Sequence, residues 1–168
     1  MKKLFYTLLT INIILLSGCA NIDYETLTPY SPIKNNTSVV LIGTKGKQTV
    51  NYLQFESWSK MPPACNYRFY ENDNIIALKI DTPQNEFSLG VYTTVDTTAG
   101  YTHTGVGYGY IPVESKGINI KEKGIYYYGI LDTDTQTIDQ SIDKSFLAKA
   151  KKKYKKLINN LKPINFKW

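Results

Sequence analysis

The sequence predicts a mainly β protein: an antiparallel β-sandwich of seven to nine strands, followed by one C-terminal amphipathic α-helix. Three observations lead there. Fourteen Tyr against six Phe, with Thr abundant beside them, is a composition that suits half-buried strands. Short apolar or alternating runs succeed one another between turn signals, with no helical period among them. Past residue 143 the spacing of apolar residues changes to three and four, the spacing of a helix face.

The elements follow in order. Residues 38–42 form a short apolar run ended by Gly43, with Gly46 in the turn beyond. In 49–55, Val50, Tyr52 and Gln54 fall on one face and Asn51, Leu53 and Phe55 on the other. Residues 67–70, 75–80 and 87–95 are strand-like, separated by Asn72-Asp73-Asn74 and Pro83-Gln84-Asn85, which are turn chemistry. Residues 101–113 carry Gly105, Gly107 and Gly109 at period two. That period puts all three on one face of a strand, where a facing backbone or aromatic ring approaches closely; a smooth ligand-receiving face is the other reading. Ser115-Lys116-Gly117 is a turn, 118–120 a short strand, and 124–131 a further aromatic strand. From Asp139 or Asp143 to Leu161 the residues Phe146, Leu147, Ala150, Tyr154, Leu157, Ile158 and Leu161 make one helical stripe. Asp143 suits the N-cap and Pro163 a stop. Ile164, Phe166 and Trp168 alternate with Asn165 and Lys167, as a last short strand or a tail packed on the body.

The formal charge of +6 hides an asymmetry. Residues 20–142 hold thirteen acids against eight Lys and Arg68, whereas 143–168 hold nine Lys against Asp143 alone. A mildly acidic body with a strongly basic end implies that the end meets an anionic surface or folds back on the body.

The N-terminal segment begins Met1-Lys2-Lys3 and continues through 4–16 as a mostly apolar run. A basic start, a short apolar core and a small-residue exit are the three parts of a secretory signal. The run is shorter than the ~20 residues a membrane-spanning helix needs, and Asn12 interrupts it. It closes on Leu16-Ser17-Gly18-Cys19, which resembles the lipobox of bacterial lipoproteins. The resemblance implies cleavage between Gly18 and Cys19, a diacylglycerol on the Cys19 thiol, and acylation (palmitate or a similar chain) of the new amino terminus. Ala20 rather than Asp follows the cysteine, which in that family implies the outer membrane. The alternatives are a permanent membrane helix and an ordinary cleaved signal with Cys19 there by chance. On the lipoprotein reading the chain divides into a signal (1–18), a lipidated cysteine with its tether (19–37), a β-sandwich domain (38–142) and a basic helix with its tail (143–168). Pro29, Pro32, Asn35 and Asn36 mark the tether, whose 18 residues from 20 to 37 reach about 60 Å at ~3.3 Å each. Residues 121–130, with Gly124, three successive Tyr and Gly129, resemble a late glycine-flanked aromatic strand in small envelope lipoproteins. That likeness implies a sandwich and brings no activity.

Candidate chemistry is sparse. His103 is the single histidine, and no Cys or His partner stands at metal-ligand spacing. Asp132-Thr133-Asp134 lacks the glycine and closing Glu of a calcium loop. No metal and no cofactor is therefore expected. A nucleophile would have to be Cys65 or a serine beside His103, and no Gly-x-Ser-x-Gly elbow is present. With Cys19 consumed by its thioether, Cys65 remains a small buried hydrophobe or the half of an intermolecular disulfide. Lys149, Lys151, Lys152, Lys153, Lys155 and Lys156 are the candidate anionic-surface contacts. Each Lys near an anionic membrane contributes ~1 kcal/mol; the same run also suits a solvated helix face. A secreted chain has no nucleic-acid partner. The expected role is a non-enzymatic, lipid-anchored envelope protein that binds at the membrane surface, facing the periplasm or outward, with an anionic lipid or an envelope protein as partner. The alternatives are a small envelope hydrolase using His103, and an inhibitor or assembly factor docking on an envelope enzyme or secretion machine.

Overall fold

Strand β2 (Thr37–Lys45) is apolar on both faces, and the architecture follows from that. Val40 and Ile42 face one core while Val39 and Leu41 face a second. A strand buried on both sides reads as an unbroken apolar run rather than an alternating one. In this computed structural model, residues 23–24, 26–34, 36–56, 64–68, 74–95 and 111–168 are described.

Ten strands lie among those residues: β1 (Asp23–Tyr24), β2, β3 (Thr49–Glu56), β4 (Ala64–Arg68), β5 (Ile75–Asp81), β6 (Gln84–Val95), β7 (Ile111–Pro112), β8 (Ile118–Ile120), β9 (Ile125–Asp132) and β10 (Thr137–Asp139). Two short helices follow, α1 (Lys144–Lys153) and α2 (Lys155–Ile158). One sheet runs β1-β4-β3-β6-β7, with β8 also on β6; the other runs β10-β9-β2-β5. The sheets face each other in a sandwich-like arrangement and do not close into a barrel. Their shared core joins Val40, Ile42, Leu78 and Tyr128 to Leu53, Phe55, Phe87 and Leu89. The Phe55 and Phe87 rings stack at 4.3 Å, and Tyr128 meets Phe55 edge-on at 5.2 Å. On the outer face of the four-stranded sheet, the helices bury Phe146, Leu147, Ala150, Tyr154, Leu157 and Ile158 against Val39, Leu41, Ala77, Ile125 and Tyr127. The protein thus has three layers: sheet, sheet and helix.

Two features depart from the expected antiparallel order. β2 pairs with β9 in parallel, and β1 pairs with β4 in parallel. Turn chemistry informs only about neighbours in sequence, whereas a parallel pair needs a long crossover, so no local signal reports it. β1 and β10, two and three residues long, are too short to carry a period. The helical stripe is also broken once: Tyr154 sits at φ −100°, ψ 20° between α1 and α2.

Gly129 shows how one residue re-aims a strand. It lies at φ 149°, beside a register shift between Leu41 and Ile42 of β2. The bulge changes the parity of β9. Before it, Tyr126 and Tyr128 face the inter-sheet core; after it, Leu131 does, and Ile130 turns toward the helices.

Within the stretch from residue 19 to 37, described residues make contacts with the body. β1 joins the sheet edge, Thr26 bridges Leu78, and the buried Leu27 donates its N–H to the Ala77 carbonyl at 2.8 Å.

Candidate functional site

The lysine-rich helices are placed by their apolar side. Asp143 caps α1, its Oδ1 accepting from the Phe146 N–H at 2.9 Å, which satisfies one of the orphan donors of a helix start. Gly43 lies under this first turn; a Cβ there would stand 2.8 Å from a Phe146 ring carbon, so the helix approaches β2 as closely as a bare backbone permits. At the break, the Tyr154 hydroxyl and Lys153 Nζ both donate to the Ile75 carbonyl, at 3.0 and 3.1 Å. Tyr127, beneath α1, keeps its hydroxyl buried without a partner among the described residues. The Asp143 backbone lies near it without closing a hydrogen bond, and burial pushes its pKa up to about 12.

The tail then returns along β9, where β10 does not reach. Ile125 donates to the Lys162 carbonyl and Ile164 donates to that of Ile125, both at 2.9 Å. The Asn165 amide stands in for a strand: its Nδ2 donates to the Tyr127 carbonyl at 2.7 Å, and its Oδ1 accepts from the Tyr127 N–H at 2.8 Å. Phe166 is buried, and the Trp168 ring meets it edge-on at 4.9 Å. This return brings Trp168 to within 5.3 Å of Lys151 Nζ.

A groove of about 500 Å³ results between the helices and the tail. Lys151, Lys152 and Lys155 supply its charge, Ile158, Leu161 and Pro163 its apolar lining, and Trp168 one wall; Ala148 and Asn159 complete it, with no Asp or Glu side chain among them. The structure therefore divides the six expected lysines. Three share the groove. Lys156 lies 4.9 Å from the Tyr30 ring, Lys153 is directed to Ile75, and Lys149 is exposed. Lys149, Lys151, Lys152, Lys155 and Lys156 reach no described carboxylate; the ion pair formed by Lys45 and Asp132, at 3.3 Å, lies elsewhere.

Gly18, Cys19 and His103 lie outside the described residues, as do Gly105, Gly107 and Gly109. Cys65 is on β4, its backbone opposite Phe55. Asp132 belongs to a turn, accepting from the Asp134 and Thr135 amides at 3.0 and 3.3 Å. Partial burial opposes its ionisation, but those amides and Lys45 outweigh it and hold the carboxyl below its usual range. Among the described residues no three His, Cys, Asp or Glu side chains gather, and no helix is long and apolar enough to cross a membrane. The parts that sequence reasoning missed are Trp168 and the apolar lining. The alternation in 164–168 signalled an extended tail, but not which wall it would build.

Comparison with family models, with curated proteins and with solved structures gives no match.

Proposed function

We propose that this is a lipid-anchored protein of the bacterial envelope, held at the outer membrane through Cys19, that acts by binding at the membrane surface rather than by catalysis. The observation that carries the binding reading is the helix pair itself. Its apolar stripe is spent on the sheet, while five of its lysines reach no described carboxylate. Charge that folded back on the acidic body would instead be paired there. The anchor rests on the lipobox-like Leu16-Ser17-Gly18-Cys19. Four residues carry the chain from Cys19 to Asp23 in β1, a reach of at most about 14 Å at ~3.3–3.6 Å per residue. A body so attached stands beside its membrane instead of ranging about 60 Å from it.

Metabolic labelling with radioactive palmitate tests the anchor. Label is expected on the wild-type protein and none on Cys19→Ala. An unlabelled wild-type protein overturns the reading.

A further inference from the structure

We infer that the groove beside Trp168 is a binding site for a single anionic phospholipid, its phosphate among Lys151, Lys152 and Lys155 and the start of its acyl chains on Leu161 and Pro163. The inference deepens the membrane-surface reading and rests on it. Three ammonium groups with no Asp or Glu side chain in the lining set up a positive field that a phosphate diester complements. Lysine meets phosphate as a compact point charge. Lysines against an apolar lining and an indole are the pattern of a surface that takes an amphiphile at the membrane interface. An acidic peptide would leave the apolar part unused. The volume, about 500 Å³, falls within the ~300–1,000 Å³ typical of small-molecule sites. Trp168 is held ready by Phe166, and Lys151 faces its ring.

The test uses the full processed protein in non-ionic detergent micelles doped with phosphatidylglycerol or phosphatidylcholine. The signal is the part of the tryptophan emission change that disappears in Trp168→Phe. Phosphatidylglycerol should shift this emission to the blue in a saturable way, and phosphatidylcholine should not. Changing Lys151, Lys152 and Lys155 together to Gln should weaken the apparent affinity about 100-fold, at roughly fivefold per lysine, with the circular dichroism spectrum unchanged. Equal responses to the two lipids, an equal response to inorganic phosphate alone, or an unaltered triple variant would each overturn the inference. Palmitate labelling of the same preparation is read separately. Labelled protein without a Trp168 response removes the groove and leaves the anchor; unlabelled protein with the response does the reverse.

Discussion

Tyr126, Tyr127 and Tyr128 are consecutive, and three neighbouring hydroxyls have three fates. Tyr126 donates to the Glu122 carbonyl at 2.9 Å. Tyr128 crosses the inter-sheet core, accepts from the Leu89 N–H at 2.6 Å, and lies 2.6 Å from Ser115 Oγ, which donates to the Leu89 carbonyl at 2.9 Å. With the serine proton on that carbonyl, the tyrosine proton goes to the serine, closing a ring that ties β9 to β6. Tyr128→Phe would leave the buried Leu89 amide unpaired. It should lower unfolding free energy by about 1–3 kcal/mol in urea titration. Tyr127 is the opposite case, since its hydroxyl is buried with no partner among the described residues, so Tyr127→Phe should raise the urea midpoint at neutral pH. Its pH dependence has a definite sign. A folded-state pKa of about 12 against the ordinary 10.0 means that the unfolded chain loses this proton first. The contribution is fully present below pH 10 and is lost as pH rises toward 12. The advantage of Tyr127→Phe over wild type should therefore widen between pH 8 and about 11.

At the scale of elements, the stripe of α1 and α2 and its Asp143 cap were legible, because a 3.6-residue period and a capping side chain are local properties. The Phe146 amide does bond to Asp143. Asp143→Ala should cost about 0.5–2 kcal/mol and speed hydrogen exchange at the amides of the first turn of α1; Asp143→Asn should keep most of the stability. The break at Tyr154 was not legible. It coincides with the Tyr154 hydroxyl and Lys153 both reaching Ile75, a contact across 79 residues of chain that no local spacing encodes. The tail was half legible: alternation signalled extension, but the pairing of the Asn165 amide with Tyr127 depends on β10 stopping short of it.

On the scale of the whole molecule, charge is segregated. Thirteen of the fourteen acids lie in 20–142, and the lysines of the two helices lie on a layer whose apolar face is already used. Exposed charges of this kind act over about 10 Å at 0.1 M salt and about 3 Å at 1 M. Residues 20–168, freed of any anchor, should therefore sediment with phosphatidylglycerol vesicles at low salt and be released as salt rises, and should ignore phosphatidylcholine vesicles. Retention indifferent to salt would leave the helix lysines a purely solvated face.

By itself the sequence determined the β composition, most strand positions, the apolar stripe with its cap, and the separation of basic end from acidic body. All of these are properties of neighbouring residues, set by periods of two or 3.6 and by turn and capping side chains. Only the tertiary structure decided that β2 and β9 run parallel with both faces buried, that residues 26–34 belong to the body, and that Trp168 stands beside Lys151 above an apolar groove. Each of these brings together residues far apart in the chain, and such contacts are selected by the burial of whole faces, which no short window of sequence contains.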